Sequence, residues 1–236
     1  MVTKNCFVAS MLVCGLIVSV LPCYAESESE LEFEVTAKRE SKYVSEGRDN
    51  LEEGGIFSFE TTAEWRQLTF GVSFVTGDSE SYDELNLNIE YELELGPLEA
   101  YIGYTRLEFL ENNESDNEIS TGIAFKNIPY LVPALDYTYS TESDGGFLEL
   151  SLSSEYELIE EKLTLEPYIL EGFDFGYASS EYDGPNNLQV GLEFTLALTD
   201  QVSAVGSIAH SWAHEDVENE GLGDISWGTI GLSAEF

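Results

Sequence analysis

Residues 225–236 read Ile225-Ser226-Trp227-Gly228-Thr229-Ile230-Gly231-Leu232-Ser233-Ala234-Glu235-Phe236, and the fold turns on how this stretch is read. Ile230, Leu232, Ala234 and Phe236 share one face, while Thr229, Gly231, Ser233 and Glu235 share the other. A two-residue period of this kind is a β-strand with one apolar and one polar side. A strand carried to the last residue needs partners on both flanks, and a closed barrel supplies them by pairing it with the first strand. A soluble sandwich ends on such a strand as well, so the rest of the chain must decide between the two.

The stretch also resembles the C-terminal strand of bacterial outer-membrane barrels, where a final Phe after alternating apolar positions is similar to the signal read by the barrel-assembly machinery. Phe236 is on that basis the expected assembly residue. The other end of the chain fits. Residues 1–25 hold Lys4 as their only charge, an apolar run over 7–21, and then Pro22-Cys23-Tyr24-Ala25 before Glu26. This is the layout of a secretory signal peptide. The domain reading is therefore 1–25 signal peptide and 26–236 a single outer-membrane β-barrel domain. The three cysteines, Cys6, Cys14 and Cys23, all fall in the first segment, which leaves the remainder without thiol chemistry.

No other apolar run reaches membrane-helix length, so any bilayer crossing has to be made by strands. Leu31, Phe33, Val35 and Ala37 alternate with Glu32, Glu34, Thr36 and Lys38. Leu85, Leu87, Ile89, Tyr91, Leu93 and Leu95 do the same against Glu84, Asn86, Asn88, Glu90, Glu92 and Glu94. With further strands expected over 56–65, 68–74, 98–109, 119–125, 131–139, 148–158, 163–177, 188–198 and 202–212, the count is about twelve. Short links at 66–67, 96–97 and 199–200 contrast with longer acidic ones at 111–118, 179–186 and 214–224. An even count with unequal ends predicts an all-β fold, a transmembrane antiparallel up-and-down β-barrel of about 12 strands in the cell outer membrane. Trp65, Tyr82, Phe109, Tyr177, Trp212 and Trp227 lie near predicted strand ends, where membrane interfaces favour aromatics.

Between the first two strands stands Ser41-Lys42-Tyr43-Val44-Ser45-Glu46-Gly47-Arg48-Asp49. Its Ser-x-Tyr-x-x-x-Gly pattern is similar to the opening motif of an uncharacterised family of proteobacterial outer-membrane proteins, in which Arg often stands where this chain has Glu46. The resemblance implies no particular activity.

The chain holds 46 acidic residues against 9 basic ones, a net charge of −37. Nucleic acid is excluded as a partner, because phosphate contacts need Lys and Arg. Disorder is excluded by an apolar content of 43% at regular spacing. If the apolar face meets lipid, the opposite face lines the lumen. That face is expected to carry Glu32, Glu34, Glu60, Glu64, Glu90, Glu92, Glu94, Asp136, Glu149, Glu155, Glu166, Asp174 and Glu193, with Lys38 and Arg66 as the nearest bases. Two bases do not neutralise thirteen acids, so the lumen holds water, binds cations or keeps some carboxyls protonated. Twelve strands fall between the eight that side chains fill and the sixteen that leave a wide channel. The expectation is a narrow hydrated porin-like channel with an acidic, cation-favouring lumen for small solutes or ions. The alternative is a non-conducting structural or adhesin-type barrel with acidic cation-binding loops.

Catalysis is not expected, nor is a cofactor. His210 and His214 are the chain's two histidines. Outer-membrane phospholipases of twelve strands place His and Ser two residues apart on one face. Here Trp212 stands two beyond His210, and Ser211 projects to the other side. The loops at 112–118 and 215–224 offer carboxylate and amide oxygens suited to Ca²⁺ or Mg²⁺, but without the spacing of an EF-hand site. Expected partners are outer-membrane lipid, the barrel-assembly machinery and divalent cations at those loops.

Overall fold

The computed structural model describes residues 31–180 and 182–236, so the signal-peptide reading of 1–25 lies outside the described residues. Alternation of side chains along each segment dictates the architecture. Twelve antiparallel strands close into a barrel. They are β1 Glu32–Glu40, β2 Ile56–Trp65, β3 Leu68–Gly77, β4 Asp83–Leu95, β5 Leu98–Phe109 and β6 Glu114–Phe125. There follow β7 Val132–Ser140, β8 Gly145–Ser153 with its continuation Tyr156–Ile159, β9 Leu163–Phe175, β10 Asp183–Ala197, β11 Val202–Ala213 and β12 Ile225–Glu235. Each strand pairs with its neighbours in chain order, and β12 pairs with β1.

The break in β8 has a local cause. Both halves pair with β9, and the interruption falls opposite Pro167, whose ring nitrogen has no proton to donate to the ladder. Ser154 still donates its N–H to the Pro167 carbonyl at 3.1 Å, so one side of the ladder survives.

The seam between first and last strands runs from Glu34 opposite Glu235 to Glu40 opposite Thr229. Beyond it, the Phe33 N–H donates to the Phe236 carbonyl at 3.2 Å and the Phe236 N–H to the Phe33 carbonyl at 2.9 Å. No sheet edge is left at this point.

The two faces invert the pattern of a soluble protein. Phe33, Val35, Phe59, Val72, Leu87, Leu93, Ile102, Ile208 and Ile230 stand exposed on the outside. Thr36, Lys38, Ser58, Glu84, Glu90, Ser120, Gln189 and Ser233 are buried within. An apolar belt around a polar interior is the arrangement of a membrane barrel, with lipid rather than water meeting the outer side chains. Among the described residues no helix is long and apolar enough to cross a membrane, so the strands make the crossing.

Several expectations need correcting. Trp65 and Trp212 do face outward, exposed at 43% and 40%. Trp227, opposite the buried Ala209, instead shares the inner face with Ser233, and Phe109 faces inward opposite Glu84. Tyr82 and Tyr177 turn into the mouth, where their hydroxyls donate to Glu84 and Glu118. The loops expected at 111–118 and 179–186 are shorter, because β6 begins at Glu114 and β10 at Asp183. Acidity suggests loop at both places, but a strand whose inner face meets a polar lumen carries acids without ending. The last loop holds a short helix, α1 Glu215–Asn219, with Asp216 and Val217 buried.

Short turns and both described ends of the chain lie at one end of the barrel, and the segments 41–55 and 214–224 at the other. In bacterial barrels the long loops face outward. Protease added to intact cells is therefore expected to cut within 214–224, whereas cutting confined to Gly96-Pro97 or Thr199-Asp200 would invert this orientation. Deleting Phe236 removes the last two hydrogen bonds of the seam. Less heat-modifiable, folded barrel in the outer-membrane fraction is the expected result, and an undiminished amount would show the seam closes without it.

Candidate functional site

Cross-strand register brings the inner carboxylates together. Five pairs of acids stand directly opposite one another on the lumen wall: Glu32 with Glu64, Glu34 with Glu235, Glu94 with Glu99, Asp136 with Glu149, and Glu166 with Glu193. Facing residues in an antiparallel pair have Cβ atoms about 5 Å apart, and like charges there repel. Glu90 and Glu92 sit opposite Gly103 and Tyr101, and Glu60 opposite Ser73. Glu155 lies at the β8 break, within electrostatic reach of Glu166. The same face carries Glu40, Glu84, Glu99 and Glu118, which share the alternation phase of the expected residues but were not among them.

Few cations offset this wall. Lys38, 5% exposed, places its Nζ 3.9 Å from Glu60 Oε2. Lys126 pairs with Glu99 near the short-turn end. Arg66 does not enter the lumen. It occupies the tight turn after β2 with φ +60° and lies over the Trp65 ring at 4.9 Å. Polar and aromatic groups fill part of the interior: Tyr101 donates to Asp136 Oδ1 at 2.9 Å, and Gln189 Nε2 donates to the Tyr168 hydroxyl at 2.8 Å.

The cation that sequence reasoning missed is Arg48. The segment 41–55 folds inward as a small hairpin of two short strands, Val44–Ser45 and Arg48–Asp49, with Val44 paired to Asp49 and Ser45 to Arg48. Glu46 and Gly47 form its two-residue turn, both with positive φ, +46° and +72°. A Cβ on Gly47 would lie 2.9 Å from Asn187 Cβ, so glycine is required there by both backbone and packing. Arg48, 7% exposed, donates through Nη1 to Asn186 Oδ1 at 2.6 Å and to the Glu46 carbonyl at 2.9 Å. Nη2 reaches Asp216 Oδ2 at 3.1 Å, and Nε reaches Glu220 Oε2 at 2.9 Å. Asp174, 4.0 Å from Nη2, accepts the N–H groups of Tyr177, Ala178 and Ser179, so this expected lining residue holds a loop in place.

A bulge aims one of these partners. Gly172 pairs with Asn187 and Phe173 with Pro185, which leaves Asn186 as an extra residue in β10. Both Asn186 and Asn187 are thereby buried, the first against Arg48 and the second donating to Ser211 Oγ at 2.8 Å. The hydrogen bonds from Arg48 hold the Glu220 carboxyl below the usual carboxylate range, while burial pushes Asp216 up. The stability that Glu220 contributes is present above its ordinary carboxylate range and is lost as pH falls through its lowered folded value, whereas protonation of Asp216 relieves the cost of burying its charge.

On the near side, Tyr43 donates to Glu84 Oε2 at 2.8 Å and packs against Tyr82, with Leu51, Ile56 and Val75 beneath. Strands β4 and β10 are half a circuit apart in a twelve-strand ring. The hairpin, tied to both, is a strap across the mouth.

The serine hydroxyl that meets His210 is that of Ser226 in β12, across the ladder, and not that of the adjacent Ser211. His210 faces outward with Nδ1 2.7 Å from Ser226 Oγ and its ring edge-on to Trp212, while His214 pairs with Glu171 at 3.0 Å. Among the described residues no group of three or more His, Cys, Asp or Glu is placed to hold a metal ion.

No family model and no curated protein matches the chain. Solved structures do. The KdgM porin superposes with a TM-score of 0.61 at 7% identity, covering 86% of this chain and 99% of its own. The same porin in complex with disordered oligogalacturonate gives 0.58. The NanC porin gives 0.54 at 10% identity, with 86% and 98% covered. An outer-membrane channel from Pseudomonas putida F1 gives 0.53 at 11% identity, with 90% and 97% covered. At such identities the likeness concerns the fold, which is that of the bacterial outer-membrane porins. With its lipid-facing belt, the chain is an outer-membrane barrel.

Truncating Arg48 strands the buried acids around it. Losing one partner of a buried ion pair costs about 3–5 kcal/mol. Arg48→Ala is expected to lower the thermal unfolding midpoint and to speed hydrogen exchange of residues 43–50 while the barrel strands stay protected. Unchanged exchange in the strap would show that Arg48 does not hold it.

Proposed function

We propose that this protein is a narrow, hydrated, porin-like channel of the outer membrane that favours small cations. The observation that supports this reading is the set of five directly opposed acid pairs on the inner wall. Facing carboxylates repel unless water and mobile cations stand between them, and a cleft lined by one sign of charge concentrates counter-ions. A preference for cations differs from what the KdgM complex contains. Oligogalacturonate is a polyanion, and a wall of this charge repels one. Lipid around the belt, the assembly machinery at the Phe236 strand and divalent cations at the outer loops belong to the same reading. A second reading, a non-conducting structural barrel, is favoured by the strap that crosses the mouth.

Planar-bilayer recording of the purified barrel separates the two. Glu90, Glu92 and Glu94 occupy successive inner positions of β4. Changing all three to Gln is expected to lower cation over anion permeability in low salt. The difference should shrink as the screening length falls from about 10 Å at 0.1 M to about 3 Å at 1 M. Conduction with unchanged selectivity would remove these residues from the ion path.

A further inference from the structure

We infer that the inward-folded hairpin of residues 43–50 is the constriction of the channel, and that Glu46 at its tip is the residue that sets charge selectivity there, positioned by Arg48. This rests on the channel reading and adds to it a site apart from Glu90, Glu92 and Glu94 of β4. The hairpin is rooted between β1 and β2, yet its contacts span the ring. Tyr43 is bonded to Glu84 of β4, and Arg48 to Asn186 of β10 and to Asp216 of α1. Glu46 acts on the charges of Glu118 in β6 and Glu149 in β8, so the turn projects toward the wall facing its root. A solute entering from outside meets the strap before any of the opposed acid pairs.

Three features mark the turn as built. Glu46 is held at φ +46°, a region that costs a side-chain-bearing residue energy and persists where the surroundings enforce it. Its carbonyl accepts two hydrogen bonds, from Arg48 Nη1 at 2.9 Å and from Asn186 Nδ2 at 2.8 Å, which fix the backbone from below. Gly47 packs against Asn187 too closely for any other residue. The guanidinium that holds the tip is itself surrounded by Asp216, Glu220 and Asp174. The rim at this level therefore carries excess negative charge despite the arginine, and a cation gains on approach where an anion loses.

The test compares full-length Glu46→Lys with Glu52→Lys, a charge reversal at an exposed position of the same loop, and with a variant whose residues 44–49 are replaced by Gly and Ser. Heat-modifiable electrophoretic mobility checks that each barrel has folded. Glu46→Lys is expected to reduce cation over anion permeability at low salt by about three-fold or more, with Glu52→Lys near the parent. Replacing the hairpin should raise single-channel conductance. An intact barrel that is silent and begins to conduct once the hairpin is replaced also identifies the strap as the constriction. Conduction unchanged by both Glu46→Lys and the hairpin replacement would overturn the inference and leave the channel reading standing. Silence in both the intact and the hairpin-replaced barrels would overturn the two together.

Discussion

The structure depends on one requirement, that no backbone N–H or C=O be left unpaired where lipid replaces water. The seam between β1 and β12 meets it, ending in the reciprocal bonds of Phe33 and Phe236. Once the ring is closed, every strand has an inside and an outside, and the two-residue period sorts the chain onto them. Most leucine, phenylalanine and isoleucine residues go out and most glutamate and serine residues go in, with Ile56, Phe147 and Leu170 among the apolar residues packed inside. Where Pro167 cannot supply a donor, the partner strand breaks and resumes instead of opening the sheet.

Closure turns charge into the second constraint. The acids that the period sends inward meet each other across the ladder, at Asp136 and Glu149 as at Glu166 and Glu193. Lys38 answers Glu60 and acts on Glu193, Lys126 answers Glu99, and Arg48 answers four groups near the rim, so fixed cations are few against the acids of the wall. The fixed ion pairs are spread along the barrel, Lys126–Glu99 near the short turns, Lys38–Glu60 on the wall and the Arg48 group at the mouth, where it holds the strap.

Much of this is legible in the sequence, and the limits have physical causes. β4 is plain because from Glu84 to Leu95 its apolar and acidic residues never share a face. β5 is ambiguous because Tyr101, Leu107 and Phe109 point inward while Ile102 and Tyr104 point outward, so both sides look apolar. Glu114, Asp116 and Glu118 look like loop because acidity usually marks exposed turns, yet they continue a strand whose inner face is wet. The strap is invisible for a different reason. Its strands are two residues each, too short for a period, and its partners are set by a bulge at Asn186 that no local pattern announces. The Glu46-Gly47 step before Arg48 is the one signal that points to a turn there.

The long reach of Arg48 carries a consequence for the order in which the molecule is made. Its partners Asn186, Asp216 and Glu220 lie 138, 168 and 172 residues further along the chain. Contacts so remote form late, since the intervening chain must be placed before they repay the loss of freedom. The hairpin can therefore take its near-side hold through Tyr43 and Glu84 once β4 is in place, but the seat of Arg48 appears only when β9 to β11 and α1 have arrived. The far-side anchorage of the strap is thus a mark of a completed ring.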